Sequence, residues 1–186
     1  MPAPRFVHLR MHSEFSIADG IVRVEEAVKK AAADGMPALA ITDASNLFGA
    51  IKFFEAARAA GVQPVIGCDV WITNERNRDS AYRVTLICRN QPGYLALCEI
   101  LSRAHAENHW RGRAEVRREW LRGLQGLIVL SGAEAGGFEV PQRMWCRSHH
   151  PRCHQMRLQC VLLLRSAFAG WEPAGQSHRR YVRDGG

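Results

Sequence analysis

The sequence predicts an α/β fold over residues 1–137, followed by an irregular tail over residues 138–186. Three observations lead there: short β-like runs alternate with amphipathic helical stripes up to residue 131, glycine and proline mark the switches, and the composition breaks after Gly137. Such alternation is the pattern of parallel strands joined by crossover helices.

Phe6 to Leu9 reads as the first strand. Val24, Ala27, Val28 and Ala31 recur at i, i+3, i+4 and i+7, one apolar stripe of a helix closed by Gly35 and Pro37. Ala38-Leu-Ala-Ile-Thr42 is a continuous apolar run suited to a strand covered on both faces, with Asp43 at its end. Asn46 is the expected cap of a second helix, with Leu47, Ala50, Ile51 and Phe54 as its stripe and Gly61 as its stop. Residues 62–66 and 70–72 are two further extended runs, divided by Gly67. Tyr82 to Cys88 is a strand, and Tyr94, Leu97, Cys98 and Leu101 mark a third helix after the Pro92-Gly93 turn. His105 to Arg118 reads as a solvated loop and helix surface, because Glu107 and Glu115 interrupt its arginines. Leu127-Ile-Val-Leu130 is the last strand.

The chain has 186 residues, 47% hydrophobic and 23% charged, a composition that suits a soluble globular domain. No apolar run reaches the roughly 18 residues that span a bilayer, and the start shows no basic segment leading into an apolar one, so a cytoplasmic protein is expected. The net charge is +7, but residues 138–186 hold eight Arg against three acids, and residues 1–137 hold 17 basic against 15 acidic side chains. The patterned part is nearly neutral, so neither direct DNA binding nor membrane attachment is expected of it. Cys68, Cys88 and Cys98 read as buried thiols without disulfides.

The tail has no Lys and no Ile and shows no sustained period, so it reads as a frameshifted or disordered stretch without a selected fold. Cys146, His149, His150, Cys153, His154 and Cys160 are residue types that zinc prefers, but their spacing matches no standard pair of ligand turns. Accidental enrichment is the expected explanation.

Six ordered segments carry a family likeness: Phe6-Val-His-Leu-Arg-Met-His-Ser-Glu-Phe-Ser16, Asp19-Gly20, Gly35-Met-Pro-Ala-Leu-Ala-Ile-Thr-Asp43, Asn46-Leu-Phe-Gly49, Pro64-Val-Ile-Gly67 and Gly126-Leu-Ile-Val-Leu-Ser-Gly132. Over residues 5 to about 136 they resemble the N-terminal PHP (polymerase and histidinol phosphatase) domain of the bacterial DNA polymerase III alpha subunit, truncated before any polymerase active site. The resemblance implies a distorted β/α (TIM-like) barrel whose strand ends can carry His, Asp, Glu and Cys ligands. Those ligands hold manganese or zinc ions that activate a hydroxide for phosphoester hydrolysis. Fewer strands are legible than the family barrel needs, so the barrel is expected to be incomplete.

The positions that the resemblance marks are His8, Arg10, His12, Asp19, Asp43, Ala44, Asp69 and Ala133. Arg10 and His12 stand where metal-binding members have His-x-His, Asp43-Ala44 where they have Asp-His, and Ser131-Gly132-Ala133 where they have Ser-Gly-Cys. Arg83 stands where many have His. A guanidinium has no lone pair to give, so Arg10 repels a cation and is expected to pair with Asp19, Asp43 or Asp69. Taken on their own, His8 and His12 fit packed strand histidines, Asp19 and Asp43 turn or capping residues, and Asp69 a surface acid. The constellation is expected to be a vestigial metal site, with no catalytic residue and no cofactor.

The full family enzyme is a DNA-directed DNA polymerase, a nucleotidyltransferase that uses magnesium and palm-domain carboxylates. Those are missing here, so the resemblance implies a catalytically inactive part of the replication machinery. It would serve as a scaffold or as a dock for the proofreading exonuclease subunit. The alternative is an autonomous metal-dependent phosphoesterase of the PHP superfamily.

Overall fold

The computed structural model describes residues 6–17 and 19–131. The tail, its cysteines and histidines, and Ala133 lie outside the described residues. Helix α1 (Val24–Ala33) buries Val24, Val28 and Ala31 as the stripe requires, and Gly35 follows it at φ +65°, a conformation that glycine adopts without strain. Strand β1 (Ala38–Ile41) leads through helix α2 (Ala50–Ala59) to strand β2 (Gln63–Ile72), which lies parallel to it from Ala38 opposite Gln63 to Ile41 opposite Ile66. This β1-α2-β2 unit is the one the sequence pattern called for.

β2 organises the sheet. From Gly67 to Ile72 it pairs antiparallel with β3 (Tyr82–Cys88), while its last residues pair on the opposite edge with β5 (Arg113–Val116), in parallel. β3 pairs antiparallel with β6 (Leu127–Ser131), and β4 (His109–Trp110) pairs antiparallel with β5. The order is β4-β5-β2-β3-β6, with β1 beside β2, and among the described residues no pairing closes it into a barrel. One apolar core joins α1 and α2 to β1 through Val28, Leu39, Ile41 and Phe53. The other seats helix α3 (Gln91–Glu107) on β2, β3 and β5 through Val70, Val84, Leu86, Leu97 and Val116. Among the described residues no helix is long and apolar enough to cross a membrane.

Six expectations are corrected. The sheet is mixed, because residues 73–81 between β2 and β3 fold into Asx turns, with Asn74 Oδ1 accepting from Arg76 N and Asn77 Oδ1 from Asp79 N, and a helix-free return of that length brings the strand back antiparallel. The first strand is reduced to a bridge between His8 and Leu39. Gly67 does not divide β2; the strand runs through it, paired with β3, and the missing side chain leaves room for the Leu86 carbonyl oxygen, which a Cβ there would meet at 2.6 Å. Asn46 caps a turn, its Oδ1 accepting from Phe48 N at 3.1 Å, so α2 starts later. Its buried stripe is Ala50, Phe53 and Ala57, leaving Ile51 71% exposed. Finally, Glu115 is no solvated acid: it is fully buried and bound by Arg78 and Arg113 at 3.1 and 3.2 Å. Cys68 and Cys88 are buried free thiols, as expected, and Cys98 is a half-buried one.

Candidate functional site

The segment around residues 8–13 runs beside β1, with Ala40 N donating to His8 O at 2.9 Å and Thr42 N to Met11 O at 2.8 Å. In an extended chain alternate side chains share a face, so Met11 turns into the apolar core while Arg10 and His12 reach the other side. There they meet Asp69 on β2. Arg10 Nε donates to Asp69 Oδ2 at 2.7 Å, and its Nη2 lies 2.7 Å from the same oxygen. His12 Nε2 approaches that oxygen at 2.8 Å, and the Thr85 hydroxyl donates to Asp69 Oδ1. Asp69 is 1% exposed, which corrects its reading as a surface acid.

The cluster continues outward. His12 Nδ1 lies 2.9 Å from Asp19 Oδ1, and Asp19 Oδ2 accepts from Arg83 Nη2 at 3.2 Å. Both imidazole nitrogens therefore face carboxylate oxygens, and only the protonated ring can donate to both. The hydrogen bond to Asp69 is the largest influence that raises the His12 pKa above its ordinary 6.5. Burial pushes hardest on Asp69 in the opposite sense, but hydrogen bonds from His12, Arg10 and Thr85 outweigh it and hold that carboxyl below its ordinary 3.8.

Asp43 follows β1 and is 1% exposed, but its partners are different. Ser13 N donates to its Oδ1 at 2.6 Å, Ser13 Oγ to its Oδ2 at 2.8 Å, and Ser16 Oγ to its Oδ1 at 3.0 Å. Asp43 thus anchors the short 3-10 helix Glu14–Ser16, while its own carbonyl accepts from Cys68 Sγ at 3.1 Å. Burial drives the Cys68 thiol far above its ordinary pKa, which makes it inert. Ala44 stands opposite Asp69 in a parallel bridge. His8 stays outside: it is exposed and meets the Phe6 ring edge-on at 4.5 Å. The structure thus joins Arg10, His12, Asp19 and Asp69, together with Arg83, and separates Asp43 and His8 from them. Ser13, Ser16 and Thr85 were not singled out in the sequence; Thr85, a hydroxyl within the aliphatic run of β3, was the signal available.

These donors do not fit a metal cluster. Arg10 and Arg83 place cations against the two carboxylates, and both His12 ring nitrogens are already turned to carboxylate oxygens. Among the described residues no group of three His, Cys, Asp or Glu could hold a metal ion.

An α/β chain with this arrangement falls in a known class: the PHP domain profile matches residues 8–159, and the chain belongs to the PHP domain family. Its relatives include the DNA polymerase III subunit alpha of Vibrio cholerae, 42% identical over 137 residues, covering 73% of this chain and 12% of that one. The corresponding subunit of Pseudomonas aeruginosa is 41% identical over 132 residues, covering 70% of this chain and 11% of that one. The chain thus spans about 12% of the length of the curated relatives it matches. Among solved structures, a metal-dependent phosphoesterase of Bifidobacterium adolescentis overlaps 57% of this chain and 35% of its own, with 17% identity and a TM-score of 0.44.

Proposed function

We propose that this chain is a metal-free PHP domain of a bacterial replicase, a scaffold that docks the proofreading exonuclease subunit and does not itself hydrolyse phosphoesters. The observation that carries the reading is the Arg10 guanidinium seated on Asp69 at 2.7 Å. A metal-activated hydroxide needs cations held by open carboxylates and imidazoles. Here a fixed side-chain cation takes that place and ties the segment around residue 10 to β2. DNA replication in the cytoplasm and a polymerase that uses magnesium belong, on this reading, to the longer proteins that the chain resembles.

The test is hydrolysis of a chromogenic phosphomonoester by the full chain with added manganese or zinc. The expected result is turnover no faster than buffer. Manganese-dependent turnover that Asp43→Ala abolishes would establish an autonomous phosphoesterase instead. Docking is tested separately, by titrating a purified replicase exonuclease subunit into the chain in a calorimeter, with saturable heat expected.

A further inference from the structure

The end of α3 and the start of β4 bring two histidines together outside the Asp69 cluster. α3 ends at Glu107, Asn108 follows as its C-cap, and β4 begins at once with His109, paired opposite Ala114 of β5. Asn108 fixes this turn: it is buried, its N donates to Ala104 O at 3.2 Å, and its Nδ2 donates to Glu115 O and Thr73 Oγ1, each at 2.9 Å. His105, in the last turn of α3, and His109 therefore face each other across a rigid helix-to-strand turn, and both are exposed. Their ring centres stand 5.5 Å apart with the planes tilted by 60°, so the rings are not stacked face to face.

The His105 ring is also held in one orientation. Its Nε2 lies 2.9 Å from Ser45 O. A carbonyl oxygen only accepts, so Nε2 carries a hydrogen, and in the neutral ring the lone pair falls on Nδ1. Metal-binding histidines are held in this way, by a hydrogen bond from the second ring nitrogen to a carbonyl or carboxylate. Ser45 is itself anchored, because its N donates to Asp69 O at 2.8 Å. Among the described residues the His109 ring has no hydrogen-bond partner, so its lone pair is open. The nearest basic residues in sequence are neutralised: Arg103 Nε is 2.9 Å from Glu107 Oε2, and Arg111 Nη1 is 2.9 Å from Asp79 Oδ1. Zinc holds imidazole nitrogens at about 2.0–2.1 Å, which puts the centres of two rings on one tetrahedral ion roughly 5 Å apart. The observed 5.5 Å is close to that spacing.

We propose that His105 and His109 form a two-imidazole site for a borderline divalent transition-metal ion such as zinc, with His105 Nδ1 and one nitrogen of His109 as ligands and water in the other positions. Imidazole suits such ions and not magnesium or calcium. Two protein donors are fewer than a structural zinc site uses, so this one fills only with metal in excess. The proposal uses none of the side chains around Asp69 and stands whether or not that cluster holds metal. In the untagged full chain carrying ¹⁵N-labelled histidine, zinc chloride is titrated at mildly alkaline pH, where protons compete least, with magnesium chloride as control, and the ring nitrogens are followed by NMR. His105 Nδ1 and one His109 nitrogen are expected to shift together along one saturable curve, with His105 Nε2 keeping its hydrogen and magnesium shifting neither ring. His105→Gln is expected to weaken zinc binding at His109 by at least about tenfold, and His109→Gln to do the same at His105, because two donors on one frame act as a chelate. Rings that fill at different zinc concentrations, or that do not shift, overturn the proposal without recourse to any variant. So does a zinc curve at either ring that loss of the other leaves unchanged.

Discussion

Arg10 turns Nε and Nη2 on one oxygen of Asp69, each at 2.7 Å, and His12 Nε2 comes to that same oxygen at 2.8 Å. The Asp69 side chain is fully buried while that of Arg10 is 46% exposed, so the carboxylate keeps its charge inside the protein only because side-chain donors surround it. Arg10→Ala is expected to destabilise the protein by about 1–3 kcal/mol, less than breaking a fully buried pair because solvent screens the guanidinium. Urea denaturation of the full chain measures it; an unchanged midpoint would show that His12 and Thr85 alone satisfy Asp69.

The same cluster sets a pH window. His12 is held above 6.5, so its share of the stability is complete below about that pH and disappears as pH rises through the raised value. Asp69 is held below 3.8, so its share is complete above about that pH and disappears as pH falls through the lowered value. Both are present between pH 3.8 and 6.5. Urea midpoints measured from pH 3 to 9, on the order of one point per unit, are expected to fall at both ends. His12→Gln is expected to remove the alkaline fall, and an alkaline fall that survives it would place the titration elsewhere.

Ala44 stands opposite Asp69 in a parallel bridge, where paired side chains share a face of the sheet. The double substitution Arg10→His with Ala44→His would remove the competing cation and place two imidazoles beside His12 and Asp69. Three nitrogens and a carboxylate make a tetrahedral zinc set. The variant is expected to bind zinc stoichiometrically by calorimetry while the parent does not. Equal zinc uptake by both would mean that the guanidinium is no barrier.

Much of this arrangement was legible beforehand. Periodicity placed α1 and β1, and the chemistry of a guanidinium predicted that Arg10 would find an acid, though not which of Asp19, Asp43 and Asp69. The choice depends on register: Asp69 lies between Thr85 on β3 and Ala44 beyond β1, a relation between strands far apart in the chain. The α2 stripe went astray because Phe53 and Phe54 are adjacent and equally apolar, and only packing decides that Phe53 is buried at 0% exposure while Phe54 remains 39% exposed. Glu115 was misread for a related reason. Charge spacing along a chain cannot show that Arg78, from a distant loop, folds back over it.

Gly67 was read as a break and is instead a point of close approach. A Cβ at this position would lie 2.6 Å from Leu86 O and 3.1 Å from the Thr42 methyl, and the first of these is backbone in a paired strand that cannot yield cheaply. Gly67→Ala is therefore expected to cost about 1–3 kcal/mol, the range for forcing a methyl into packed structure, although alanine normally suits a strand better than glycine. A higher thermal midpoint in Gly67→Ala would contradict the register of β2 against β3.

Glu115 supplies the sharpest contrast between a buried and an exposed ion pair in the same protein. It is fully buried, and Arg78 and Arg113, which bind it, also lie over Trp110 and Trp71 at 4.9 and 5.3 Å. Glu115→Gln keeps the shape but removes the charge, leaving two half-buried guanidinium groups without their counter-charge, and is expected to cost about 3 kcal/mol. Glu107 also pairs with an arginine, Arg103 at 2.9 Å, but both side chains are about half exposed, so Glu107→Gln is expected to stay within about 0.5 kcal/mol of the parent. The two variants are compared by urea denaturation followed through tryptophan fluorescence, with a blunted midpoint and a changed native signal expected only for Glu115→Gln. Equal, small effects for both would mean that solvent reaches Glu115 and that its two arginines do not depend on it.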